Sequence, residues 1–294
     1  MYGDVMAVWK PGVKTMTRRF SKSDQDRAQQ GLARLWNEAK SPGPGPKRRF
    51  TPREIALAAI DLADRHGLKA LTMRRVADHL RVSVMSLYGY VPAKDDLLDL
   101  MIDQALGDCR KTERVDSLRS RLAALATANW DLYMRHPWLL EIDDHRPVLG
   151  PNVLAKYDSE LAVLDGSGLS DIEMQAALSG LLALVRGAAK TKHDALTAVA
   201  RTGETDQQWW ALRAPLLQQI TGPDAFPVAT RVGSAVGEAV QGPDDPDTAF
   251  RFALDRYLDG LVAYLKHIDK ENDAGCAETS GQLQVKLAPR HRGR

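Results

Sequence analysis

Leu71-Thr72-Met73-Arg74-Arg75-Val76-Ala77-Asp78-His79-Leu80, then Arg81-Val82-Ser83, then Val84-Met85-Ser86-Leu87-Tyr88-Gly89-Tyr90: two short helices joined by a three-residue turn decide the reading of this chain. Thr72 opens the first helix, and Val76, Ala77 and Leu80 recur at helical spacing behind it. Ser83 is placed to cap the second, which turns Leu87 inward. Val76, Ala77, Leu80, Val82 and Leu87 therefore form an inner face. Val84, Met85, Ser86, Tyr88 and Tyr90 are left to project outward. Apolar side chains there suit thymine methyls, and hydroxyls suit base edges or phosphates, so the second helix is expected in the major groove of duplex DNA. An ordinary pair of packed helices has the same pattern.

Signals on both sides extend the unit. Thr51-Pro52-Arg53-Glu54 combines an N-cap, a proline at the first helical position and a glutamate that closes a capping box. Ile55, Ala59, Leu62 and Ala63 continue that helix until Gly67 stops it. After Pro92, an amphipathic helix runs from Lys94 to Leu106. Upstream, residues 1–49 read as a basic, largely disordered arm. It contains a short helix over Ala28 to Lys40 and a linker, Ser41 to Pro46, whose three prolines break any helix. Downstream, helices are predicted over Ser117 to Arg135, Asn152 to Leu164, Asp171 to Val199, Thr205 to Ile220 and Asp247 to His267. No stretch has the period of a strand. The expected fold is all-α, with a three-helix helix-turn-helix domain at 50–107, a larger helical bundle at 108–268 and a disordered tail at 269–294.

Residues 1–50 carry 11 Lys/Arg against 4 Asp/Glu, whereas residues 51–107 and 108–294 net −1 and −4. A basic arm on a near-neutral body suits a polyanion partner. Cys109 and Cys276 lie far apart with no Cys/His cluster around them, so both read as free thiols. No run of about 18 uninterrupted apolar residues suggests a membrane span, and a cytoplasmic protein is expected. Glu141, Asp143, Asp144 and His145 fall in a loop and read as solvated charge, not as a metal site. No cofactor is called for, and no catalytic motif points to an enzyme.

Phe50 through Leu106 resembles the DNA-binding domain of the TetR family. The resemblance rests on Leu71 to Ala77, Val82 to Tyr88, and Val91, Lys94, Leu97 and Leu98, in order and correctly spaced. It implies a dimeric regulator on double-stranded operator DNA. It implies contacts from Thr72, Met73 and Arg74, from the helix Ser83 to Tyr90, and to phosphate from Lys94. Arg74 falls where the family uses an arginine on a base, and a guanidinium grips guanine bidentately. One departure is Arg81, where the family usually has glycine in the turn. A left-handed residue there costs roughly 1–2 kcal/mol. Arg48 and Arg49, in the basic stretch before the domain, are candidates for a minor groove or for phosphates.

The second domain resembles, less specifically, the ligand-binding and dimerisation domain of such regulators. Trp130, Tyr133, Trp138, Arg186, His193, Trp209, Trp210 and Arg213 are candidates for a pocket with apolar walls and a few polar anchors, although aromatic residues at this spacing also suit a core. The last helix is apolar over more than one stripe: Tyr257, Leu261 and Leu265 on one, Leu254, Leu258 and Val262 on the next. With Leu178 and Leu182, these are the candidates for a homodimer interface. The implied function is a repressor released by a small-molecule effector. The alternatives are a ligand-independent or activating regulator, and a helical scaffold without DNA binding.

Overall fold

The computed structural model describes residues 21–36, 49–109, 117–142, 147–222, 225–240 and 244–285, and these contain helices and no strand. Helix α1 spans Lys22–Trp36. It begins earlier than the predicted Ala28, and its last turn docks on the body. Leu35 is buried in the first core, Arg34 pairs with Asp96, and Trp36 Nε1 donates to the Leu149 carbonyl at 2.9 Å. Tertiary contacts of this kind stabilise helices that propensity leaves marginal.

Four more helices come next: α2 (Pro52–His66), α3 (Met73–Leu80), α4 (Val84–Tyr88) and α5 (Lys94–Gly107). The capping box at α2 forms as predicted, with Glu54 N donating to Thr51 Oγ1 at 3.2 Å and Thr51 N to Glu54 Oε2 at 2.7 Å. Ile55, Ala59, Val76, Ala77, Leu87, Val91, Leu97 and Met101 close around one another to form the first core. Leu132, Trp138 and Leu139 join it from beyond residue 107, so this core is shared between the head and the larger helical part of the chain.

Between α3 and α4 the turn takes the form that the unusual arginine implied. Arg81 adopts φ 56° and ψ 48°, the one non-glycine residue with positive φ among the described residues. Arg81→Gly should therefore raise stability by about 1 kcal/mol in chemical denaturation. Unchanged or reduced stability would show that the arginine side chain offsets the backbone cost.

The larger part comprises α6 (Leu118–Arg135), a 3-10 turn (Pro137–Glu141), α7 (Pro151–Leu161), α8 (Asp171–Thr202), α9 (Asp206–Thr221), α10 (Pro227–Val240) and α11 (Pro246–Val285). Its core gathers Leu122 and Leu125 of α6, Val163 and Leu164, Leu178, Leu181 and Val185 of α8, and Leu258 of α11. Arg119 adds a surface clasp from α6 to Asp255 and Asp259 of α11, at 2.7 and 3.1 Å. By length and composition α8 could cross a membrane, but Leu178, Leu181, Val185 and Ala189 are buried inside this bundle. Helix α11 continues to Val285, through part of the segment predicted to be a disordered tail. That stretch has no proline to stop the helix before Val285.

Candidate nucleic-acid interface and effector cavity

Of the residues proposed for DNA contact, Arg49, Thr72, Arg74, Ser83, Met85, Ser86, Tyr88 and Lys94 are exposed. Arg48 lies outside the described residues. Met85 is 80% exposed, in the first turn of the short helix α4, near Ser83, Ser86 and Tyr88 in sequence. Ser83 caps α4 by accepting from Ser86 N at 3.1 Å, and the two hydroxyls bond each other at 2.9 Å. Thr72 does the same for α3, accepting from Arg75 N at 3.2 Å. Arg75 turns back on the Ala70 carbonyl, while Arg74 makes no hydrogen bond or ion pair among the described residues. Its guanidinium is therefore available to a ligand. Lys94 opens α5 beside Ala93, which offers no side-chain cap to the first turn.

Of the other expected contacts, Met73 faces the core, and Val84 and Tyr90 are half-buried. Met73 is buried, because the first turn of α3 packs it toward the core while Arg74 and Arg75 point out. Val84 is half-buried against the same core. Tyr90 lies past the end of α4, in a turn closed by Tyr90 N donating to Leu87 O at 2.9 Å, and its ring packs on the core too.

The eight residues expected around a ligand do not line one pocket, although Tyr133 meets Arg186 and Trp209 meets Trp210 and Arg213. Trp138, 1% exposed, is wedged in the first core, with Nε1 donating to Asp64 Oδ1 at 2.8 Å. Arg186 donates to the backbone carbonyls of Leu139, Leu140 and Ile142. Trp130 stacks on Phe250 with centroids 4.3 Å apart. Tyr133 packs against both cores, and burial pushes its phenol above the ordinary tyrosine range. His193 is half-buried on α8. Trp209, Trp210 and Arg213 sit on α9, a helix without a buried residue. There Trp209 stacks on Trp210 and on Arg213, and Arg213 pairs with Glu204 at 3.0 Å.

A cavity of about 450 Å³ lies apart from them, walled by the end of α5, α6, and α7 with the turn after it. Leu106, Leu125, Ala155 and Val163 supply apolar wall, and Asn129, Asn152, Lys156, Ser159 and Glu160 supply polar groups. Asn129 and Glu160 are buried and joined by Asn129 Nδ2 donating to Glu160 Oε1 at 2.7 Å, and Lys156 Nζ donates to the same oxygen at 2.5 Å. Burial also raises the pKa of the Cys109 thiol at its edge, which favours the neutral form. The sequence signal for this site was slight: a polar Asn129 on an otherwise apolar helical stripe, and a Lys/Glu pair one turn apart.

The cavity is wired to the head. Asp103, buried on α5, accepts from Asn152 N and Val153 N at 3.0 Å each and from Asn152 Nδ2 at 2.9 Å. It thereby caps the first turn of α7 across the two units. Gly150 lets the carboxylate approach, since a Cβ at that position would meet Asp103 Oδ1 at 2.0 Å.

The dimer candidates also divide by burial. Leu178, Leu258 and Leu265 are buried within the chain, and Leu182, Leu254, Tyr257 and Leu261 pack partly on the second core, with Tyr257 Oη donating to the Ala177 carbonyl at 2.6 Å. The exposed faces of these helices carry other residues: Ala176, Ala183 and Gly187 on α8, Phe252, Gly260 and Ala263 on α11. Gly187 and Gly260 sit in helix interiors with nothing within 4 Å of where a Cβ would be.

Comparison with known proteins agrees with this architecture. Residues 55–101 match the family described as bacterial regulatory proteins, tetR family, and residues 112–265 match the tetracyclin repressor-like C-terminal domain. A curated relative, the HTH-type transcriptional repressor DrrR1 of Streptomyces coeruleorubidus, is 37% identical over 235 residues, covering 78% of this chain and 84% of that protein. An HTH-type transcriptional regulator of Saccharopolyspora erythraea is 36% identical over 129 residues, 44% of this chain and 55% of that one. Among solved structures, apo ActR from Streptomyces coelicolor superposes with a TM-score of 0.59 at 24% identity, covering 76% of this chain and 99% of that chain. ActR in complex with actinorhodin gives the same score and identity over 74% and 99%.

Proposed function

This chain belongs to the TetR family of DNA-binding transcriptional regulators, which are not enzymes, and from that premise we propose that it is a homodimeric cytoplasmic repressor released from its operator by a small molecule. The proposed division of labour places DNA reading at 50–107 and effector binding and dimerisation at 108–268. The observation that carries the release mechanism is the Asp103 hook. Helix α7 forms one wall of the cavity, its first turn is held by α5, and α5 begins at Lys94 beside the reading helix α4. An effector that fits only a displaced α7 pulls α5 with it. It thereby favours a form in which the two heads no longer match major grooves about 34–36 Å apart. ActR in complex with actinorhodin is a precedent for a small molecule bound to this fold, and a cavity with mixed walls suits a small amphipathic effector.

In the DNA reading, Arg74 contacts a base, Met85 and Tyr88 press on the groove floor, Thr72, Ser83 and Ser86 add hydroxyls, and Arg49 and Lys94 hold phosphates. The test separates the roles. Arg74→Ala should weaken binding to the selected operator by roughly 1–3 kcal/mol and leave binding to random duplex nearly unchanged. Lys94→Ala should weaken both and lower the salt slope by about one. Equal losses on cognate and random DNA for Arg74→Ala would remove its assignment to a base, and an unchanged slope for Lys94→Ala would remove its assignment to a phosphate.

A further inference from the structure

The 3-10 turn Pro137–Glu141 is gripped from two sides. From the head, Asp64 of α2 accepts from Trp138 Nε1 at 2.8 Å and from His136 Nδ1, which lies 3.0 and 3.1 Å from its two oxygens. From the bundle, Arg186 of α8 donates Nη1 to Leu139 O at 3.2 Å and Nη2 to Leu140 O at 3.4 Å and Ile142 O at 2.7 Å. His136, Trp138, Leu139 and Leu140 are all buried. One forked guanidinium satisfying three carbonyls of the same turn fixes that turn to α8 as a unit, which an ammonium cannot reproduce. A carboxylate that accepts from two buried rings fixes the same turn to α2.

We propose that Asp64 and Arg186 are positioning residues forming a second linkage, independent of the Asp103 hook, by which the arrangement of α8 is imposed on the DNA-reading head. The linkage runs from α8 through the turn at 136–142 to α2, the helix against which α3 and α5 pack. This deepens the repressor reading and rests on it. Both residues act through the turn and touch neither DNA nor effector.

The test is backbone amide exchange in the full chain, using a duplex selected by the protein itself, at a temperature where every variant is folded. In the parent, bound duplex should slow exchange at least about tenfold in α2–α5, in residues 136–142 and in α8 around Arg186. In Arg186→Lys and in Asp64→Asn the slowing should stop at the head. Equal spread in parent and variants, or no slowing beyond the head in the parent, would overturn the linkage. A purely structural role would change melting without changing this spread. If the parent selects no duplex, the repressor reading fails separately and heat unfolding decides: one transition in the parent and two in Asp64→Ala support the linkage, whereas one transition in both overturns it.

Discussion

Gly150→Ala lowers the melting temperature by about 6–12 °C, because the added methyl group occupies the space of the Asp103 carboxylate. The Cβ would stand 2.0 Å from Oδ1 and 2.3 Å from Cγ, distances that no rotamer adjustment of a few tenths of an ångström relieves. The hook must open, and a buried carboxylate then loses two backbone donors and one side-chain donor. Hydrogen bonds to a charged group contribute about 1.5–3 kcal/mol each, and some water returns. A net loss of roughly 3 kcal/mol results, and a chain of this size loses about 2–4 °C for each kcal/mol. Calorimetry of the full chain measures it. The same variant should respond less to effector, since α7 and α5 no longer move as one. A melting point within about 2 °C of the parent would show that the Asp103 contact carries little energy.

Gly260→Arg dissociates the dimer without harming the fold. Within one chain this position is open, and arginine is a better helix former than glycine by roughly 1 kcal/mol, so the isolated subunit should be as stable as before or more so. A glycine inside an exposed helix costs stability unless another backbone comes close, which makes the free face of α11 the expected partner surface. Two-fold symmetry places the intruding charge twice. With about 2 kcal/mol or more for each, the dimer should weaken at least about 10³-fold and operator affinity should fall with it. Sedimentation at micromolar concentration checks this outcome, and a dimer of unchanged affinity would move the interface elsewhere. Leu258→Glu behaves differently: Leu258 is 1% exposed inside its own subunit, so a charge there unfolds the chain instead of merely separating two of them.

The reading head was legible because its signals are local and agree. The Thr51 and Ser83 caps, the spacing of Val76, Ala77 and Leu87, and the odd Arg81 each report on backbone within a few residues. Met73 was misplaced because a resemblance assigns a segment to DNA, whereas the face of one turn is set by packing. The cavity was not legible. Asn129 and Glu160 meet from helices 31 residues apart, and a pair of polar residues that far apart leaves no periodic trace. The aromatic candidates fall in separate places for the same reason. Trp138 and Arg186 are distinctive residue types, but their partners, Asp64 and three backbone carbonyls, carry no signal in sequence. The leucine stripes named for the dimer divide on folding: Leu178, Leu258 and Leu265 are buried within the chain, whereas Leu182, Leu254, Tyr257 and Leu261 stay partly exposed.

Two copies of this chain should read one symmetric site. Selecting duplexes from a random library with the purified protein, then weighing the complex by light scattering, tests this most directly. The expected result is an enriched, near-palindromic sequence with half-sites one helical turn, or a small multiple of it, apart, bound by about twice the 32.4 kDa chain. No enriched sequence, or a symmetric site occupied by single chains without cooperativity, would contradict it.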